Sequence, residues 1–219
     1  VTVVRIGPYD AWLFDCDGVI LDSNSVKTDA FYELARPFGT EVAEAFSAYH
    51  RAQGGVSRFV KVKYLYERLL GVSDEGRIRE GLEEFARLVR AGLETCGEAE
   101  GLRGFLESIP SGTYRAVISG GLEEEVRSVL ATRGLARYFG DVFGSPRTKD
   151  AIFSQLKESG KLGGRAVYFG DARYDHEVAT RFGVDFVFVS GMTEFQGWES
   201  YFGSLPVLSV KNLRSLEPR

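Results

Sequence analysis

The sequence predicts an α/β fold, a parallel sheet with helices on both faces and an all-helical block inserted after the first strand. Three observations predict it. From about residue 101 onward, short apolar runs alternate with helical stripes, as strands joined by crossover helices do. Between about Asn24 and Glu100 every apolar stripe has helical spacing and no clear strand occurs. The apolar runs end in Asp15, in Ser119-Gly120-Gly121 and in Gly170-Asp171, and the carboxyl ends of parallel strands are where such sheets bind ligands.

Taken in chain order, Ala11-Trp12-Leu13-Phe14 reads as a buried strand ending at Asp15. Val26, Ala30, Phe31, Leu34 and Phe38 then recur at helical spacing, as do Val42, Ala45, Phe46 and Tyr49. Gly54-Gly55 interrupts, with Ser57 near a new helix start. Phe59, Val62, Tyr66, Leu69 and Leu70 resume the stripe until Gly71 ends it. Ser73-Asp74-Glu75 opens the next helix, carried by Ile78, Leu82, Phe85, Leu88, Val89 and Leu93. Beyond the block the pattern predicts a helix near 101–109, strand 114–118, helix 122–133, strand 141–144, helix 149–160, strand 166–170, helix 174–182 and strand 185–189. The expected division is 1–23 with 101–219 as the α/β core and 24–100 as the helical insert, joined through 19–23 and 98–101. The tail from Glu194 carries Phe195, Trp198, Tyr201 and Phe202, for packing on the core or at an interface, and a monomer or homodimer is expected.

At 219 residues the chain suits one large domain or a core plus an insert, and sixteen Phe with ten Tyr supply ample core material. A net charge of −4 argues against nucleic acid as the main partner, because phosphate-backbone binding needs a basic surface. The two cysteines, Cys16 and Cys96, make no disulfide framework, and Cys16 is expected to be buried without chemistry. No apolar stretch approaches the length needed to span a bilayer, so no membrane partner is expected. The opening Val1-Thr2-Val3-Val4-Arg5-Ile6 lacks an initiating Met and is too short for a signal peptide. A reducing, cytoplasmic setting fits these features.

Asp15-Cys16-Asp17-Gly18 places two carboxylates two residues apart at a strand end. Such charges repel and become tolerable when a cation sits between them. The chemistry that needs this layout is a carboxylate nucleophile, a second carboxyl as acid and base, and a magnesium ion. An ordinary acidic turn would read the same way, and three later segments weigh against it. Tyr114-Arg115-Ala116-Val117-Ile118-Ser119-Gly120-Gly121 is a second apolar run, ending in a hydroxyl and two glycines. Ser145-Pro146-Arg147-Thr148-Lys149 sets a lysine at a loop-to-helix junction. Ala166-Val167-Tyr168-Phe169-Gly170-Asp171 is a third run, with Asp175 four residues on.

In this order the segments resemble the four motifs of the haloacid dehalogenase-like phosphohydrolases, over roughly residues 9 to 192. The resemblance implies a Rossmann-like core and makes the helical insert a cap that closes over the site. It implies Asp15 as nucleophile and Asp17 as general acid and base, with the Asp17 backbone carbonyl a metal ligand. Family members that cleave carbon–halogen bonds lack an acid at the second position, so Asp17 favours phosphoryl transfer. Asp15 and Asp171 would bind magnesium directly, and Asp175 directly or through water. Ser119 would hydrogen-bond the phosphoryl oxygen, with the backbone of Gly120 and Gly121 approaching the anion. Lys149 would neutralise charge between Asp15 and the phosphoryl group, with nearby Arg147 a substitute. Glu123-Glu124-Glu125 would repel phosphate and are expected to point away.

Within the insert, Arg51, Arg58, Lys61 and Lys63 fall in a stretch without acids. Arg58 is the best candidate to grip a second anionic group, with Arg51 also a substrate contact, and a solvated basic helix face is the competing view. His50 reads as a surface or interface histidine. The expected activity is magnesium-dependent hydrolysis of a small phosphomonoester, such as a sugar phosphate or phosphoglycolate, with a small phosphorylated metabolite as partner. Alternatives are a sugar phosphomutase, a phosphonate-cleaving enzyme using Lys27, Lys61 or Lys63 as a Schiff base, and a non-catalytic binding protein.

Overall fold

The structure is a computed structural model and describes residues 3–219. Val1 and Thr2, the first two residues of the opening run weighed above as a signal peptide, lie outside the described residues. Strand β1 (Val4–Ile6) precedes β2 (Ala11–Phe14). Four helices follow, α1 (Asn24–Ala35), α2 (Thr40–Ala52), α3 (Arg58–Tyr64) and α4 (Glu75–Thr95). The chain then alternates through α5 (Leu102–Ser108), β3 (Tyr114–Leu122), α6 (Glu123–Thr132), β4 (Asp141–Ser145), α7 (Lys149–Glu158), β5 (Ala166–Gly170), α8 (Arg173–Phe182) and β6 (Asp185–Val189). It closes with α9 (Trp198–Phe202), β7 (Leu208–Val210) and β8 (Leu216–Pro218).

Six strands form one parallel sheet in the order β4-β3-β2-β5-β6-β7, and β1 pairs with β8 apart from it. β2 is central, and Trp12, Leu13 and Phe14 are fully buried, which is why this run is apolar on both faces. The chain order reverses beside β2, with β3 on one side and β5 on the other, so the crevice at its carboxyl end opens beyond Phe14. Phe14 and Phe169 stack across β2 and β5 at 4.8 Å between ring centroids, fixing the register of the two strands that lead to Asp15 and Asp171.

The helical block packs α1 against α2 and α4, and α3 against α4. Its buried stripe includes Phe31, Phe46, Val62, Phe85 and Val89, whereas Ala45 and Phe38 of the expected stripe are exposed. Asp74 caps α4 by accepting from the Gly76 and Arg77 amides, as its place before the stripe predicts. Ser57 caps α3 through the Phe59 amide. Two backbone bonds, Asp22 N–H to Gly97 O and Ala99 N–H to Ile20 O, join the segments that lead into and out of the block.

Three strands, β1, β7 and β8, were not expected from the pattern. Each has three residues, too few for a period to register. β3 also runs past the predicted end at 118 to Leu122, with its pairing to β4 shifted between Ile118 and Leu122. The aromatic tail packs on the core: Phe202 lies 4.5 Å from Phe188 and 5.3 Å from His176 between ring centroids. Among the described residues, no helix is long and apolar enough to cross a membrane.

Candidate active site

Asp15 ends β2, and its buried carboxylate takes the Cys16 amide on Oδ1 at 2.8 Å and the Lys149 ammonium on Oδ2 at 3.0 Å. Lys149 opens α7 and is buried. It also bonds Asp175 and donates to the Tyr168 hydroxyl at 3.0 Å. Tyr168 lies 3.0 Å from Asp175 Oδ1 and 3.2 Å from the Ile118 carbonyl, so β5 and β3 both hold this triad. The second Asp175 oxygen accepts from the Ala172 amide at 3.2 Å, so Asp175 also caps the start of α8.

Asp15, Asp171 and Asp175 present oxygens that all lie within 4.8 Å of one another. Burial pushes Asp15 up to about 7, with Asp175 and Asp17 adding to the rise and Lys149 opposing it. Burial also pushes Asp171 well above the usual carboxylate range, reinforced by Asp15 and Asp175. Lys149 is raised because the two carboxylates outweigh its desolvation. One lysine therefore leaves three buried carboxyls under-compensated, and an all-oxygen set of this kind fits a hard divalent cation. Among the described residues, no backbone N–H donates to the Asp17 carbonyl, which leaves that oxygen free of main-chain bonds as well.

Asp17 stands apart from this cluster. Its carboxylate accepts from Ser23 Oγ at 2.6 Å and pairs with Lys27. Burial alone would raise it, but Lys27 and Ser23 hold it below the ordinary value. Ser23 occupies the N-cap of α1 yet makes no cap bond, because its hydroxyl is spent on Asp17. Asn24, the next residue, donates to Asp171 Oδ2 at 2.6 Å and to the Met192 carbonyl at 2.8 Å. The start of the helical block is thus tied to both acidic groups. Gly18 makes the close turn feasible: its φ is +75°, and a Cβ there would fall 2.1 Å from Asp171 Oδ2.

A cavity of about 280 Å³ lies between the sheet end and the helical block. Asp15, Asp17 and Asp171 line it from the sheet side, and Arg51, Arg58 and Lys61 line it from the block. Gly120 is in its wall, while Ser119 is buried with Oγ accepting from the Gly121 amide at 2.9 Å. Gly120 and Gly121 lie in the last part of β3, which runs to Leu122, directly before α6. The loop at Gly54-Gly55 rests on the site, and a Cβ on Gly120 would meet the Gly55 carbonyl at 2.7 Å.

Other expectations also change. Arg147 does not reach the cluster: it pairs with Glu123 and lies 2.8 Å from Gln155. Glu123, Glu124 and Glu125 stay out of the cavity wall, as expected, and Glu125 pairs with Arg58. The basic stretch is not a solvated face, because Arg58 and Lys61 are buried one turn apart and only Arg51 and Lys63 are exposed. His50 is buried against Phe31, at 4.4 Å between ring centroids, rather than on the surface. Of the lysines weighed for a Schiff base, Lys27 is held by Asp17, Lys63 is exposed and Lys61 is buried. Tyr168, Ser23, Asn24 and the pairing of Lys27 with Asp17 escaped the sequence. Only the position of Ser23, Asn24 and Lys27 on the first turn after the motif could have signalled them.

The sequence model of the haloacid dehalogenase-like hydrolases matches residues 12–189. No curated protein matches the chain. Among solved structures, CbbY from Rhodobacter sphaeroides, in complex with phosphate, is similar at 15% identity with a TM-score of 0.73, covering 94% of this chain and 96% of that one. The β-phosphoglucomutase of Clostridium difficile is similar at 17% identity and TM-score 0.72, covering 94% and 92%. The L-2-haloacid dehalogenase of Xanthobacter autotrophicus is similar at 16% identity and TM-score 0.58, covering 94% and 96%. At these identities the structural likenesses establish the fold.

Proposed function

Because this chain belongs to the haloacid dehalogenase-like hydrolases, we propose that it is a magnesium-dependent phosphohydrolase of small phosphomonoesters, working through an aspartyl phosphate. The observation that carries this reading is the convergence of Asp15, Asp171, Asp175 and Lys149 from three strand ends, with Asp17 beside them on one cavity. Asp17 speaks for phosphoryl transfer over carbon–halogen cleavage, since an oxygen leaving group needs a proton donor.

In the first step an Asp15 oxygen bonds to phosphorus as the ester P–O bond breaks, and Asp17 gives its proton to the departing alkoxide. In the second, Asp17 takes a proton from water, whose oxygen bonds to phosphorus and releases inorganic phosphate and the Asp15 carboxylate. Lys27 and Ser23 hold Asp17 below its ordinary value in this structure, which suits the base of the second step, and the proton it gives in the first is one taken up from solvent, or from water in the preceding turnover, on parting from Lys27. Magnesium, held by Asp15, Asp171, the Asp17 carbonyl and Asp175 directly or through water, would supply positive charge for the phosphoryl oxygens. Lys149 holds Asp15 and offsets charge behind it. Ser119 and the Gly120 backbone would position the phosphoryl oxygens, and Arg58 and Arg51 would contact the rest of the substrate. The Gly54-Gly55 loop over the site would exclude bulk water during attack.

Phosphate release from a panel of small phosphomonoesters, with and without magnesium, tests the reading. Asp15→Asn should lose turnover while its circular dichroism matches the wild type, and full activity in that variant sinks the mechanism. Product analysis with a sugar phosphate separates hydrolysis from phosphoryl migration within the sugar.

A further inference from the structure

The cavity holds a second group of cations that the phosphoryl chemistry leaves unused. Lys61 is only 3% exposed, and its Nζ lies 2.8 Å from His50 Nδ1. Among the described residues it makes no other hydrogen bond and no ion pair. Arg58, one turn earlier on α3, is 4% exposed. One of its nitrogens pairs with Glu125, while Nε and Nη1 have no partner among the described residues. Both side chains lie over apolar rings, Lys61 at 5.5 Å from the Phe31 centroid and Arg58 at 4.8 Å from that of Phe85.

A buried cation without a counter-charge is costly, as is a buried guanidinium with unused donors. The neighbouring carboxylates, Asp17 and Glu194, relieve it only in part. Lys27 faces the same space but is taken by Asp17, and Glu194 accepts from Thr28. Burial, with Lys61 beside it, pushes His50 down to about 2, so the imidazole is neutral and its Nδ1 accepts a hydrogen bond from Lys61. That contact fixes the ammonium and leaves two of its three donors for a ligand. Asp15 lines the same cavity, so one small molecule can reach both.

We infer that Lys61, positioned by His50 and joined by Arg58, receives a second acidic group of the substrate, so that the substrate is a small phosphorylated acid rather than the phosphate ester of a neutral alcohol. The inference rests on the hydrolase reading and narrows it. A carboxylate and a second phosphate share the chemistry that these donors recognise.

The test is a set of matched substrates in magnesium: phosphoglycolate against ethylene glycol monophosphate, and propanediol bisphosphate against propanediol monophosphate. The acid-bearing member should have a kcat/KM higher by about tenfold or more, the effect of one charge-assisted contact. The pair with the larger ratio identifies carboxylate or phosphate as the second acid. Lys61→Met should bring that ratio to near one, mainly through KM. Should this variant not fold, the same loss in His50→Leu decides. Hydrolysis without preference, or a preference that survives both substitutions, overturns the inference and leaves the hydrolase reading standing. If no ester is cleaved, the hydrolase reading fails, and calorimetric binding of the same four compounds judges the subsite. Tighter binding of the acids that Lys61→Met abolishes upholds it, and equal binding overturns it.

Discussion

Lys61 shows at the scale of one residue how a site is held at the expense of stability. Burial, and then Lys27, lower its ammonium to about 7. Between there and the ordinary lysine value the unfolded chain binds a proton that the folded chain does not, so stability rises with pH across that window. Below about 7 both states are charged and the full penalty is present. Lys61→Met should therefore be more stable than the wild type at about pH 6, by about 1–4 kcal/mol, and melt higher there, with the gap closing toward about pH 10. A calorimetric melting series checks it, and an equal or lower melting temperature at the acid end refutes it. Tyr168 is the opposite case, a residue whose hydroxyl bonds Lys149, Asp175 and the Ile118 carbonyl within the core. Tyr168→Phe should cost about 1–3 kcal/mol by leaving those groups short of a partner, measured by denaturant unfolding. Nothing in the apolar run Ala166–Gly170 marks Tyr168 as polar-bonded, because a tyrosine in a buried strand reads as core.

At the scale of elements, the first turn of α1 and the loop between α2 and α3 tie the helical block to the sheet. Ser23, Asn24 and Lys27 bond Asp17 and Asp171 from one turn. The Gly55 carbonyl sits so near Gly120 that a methyl there would lie 2.7 Å from it. Gly120→Ala should push that loop away from Asp15 and lower turnover by about tenfold to hundredfold, since small misplacements are costly in a site of this kind. Amide exchange in residues 53–56 should become faster in the variant, and unchanged turnover would refute the role given to this contact. The strands and helices of the core were legible because their periods are long enough to count, and each fell within a few residues of its predicted span, save β3. The extension of β3 to Leu122 was hidden by Gly120-Gly121, which read as the end of a strand.

For the whole molecule, the sheet order brings together side chains separated by most of the chain. Asp15, Lys149 and Asp175 meet because β2 lies between β3 and β5, with α7 and α8 following neighbouring strands. Crowding of buried carboxylates there predicts a link between cation binding and folding. Magnesium in hundredfold excess over its dissociation constant should stabilise the wild type by about 2.7 kcal/mol. For a chain of this size that is a rise of several degrees, about 2–4 °C per kcal/mol. Asp171→Asn should lose most of that rise. An equal magnesium shift in both proteins would remove Asp171 from the metal site.

Apolar patterning alone carried the fold class and the run of helices after the first strand, and it set Asp15, Asp17 and Asp171 at strand ends. Hydrophobic period reports burial along the chain, and Asp15, Asp17 and Asp171 stand where apolar strands stop. Which charges meet was left to the packing of the elements. It set Arg147 on Glu123 and Glu125 on Arg58, and it turned Lys61 inward toward His50. The physical reason is that a charged side chain on a helix gives no periodic signal of its own. Its partner is chosen by the packing of one element on another, across a distance in sequence that local pattern does not span.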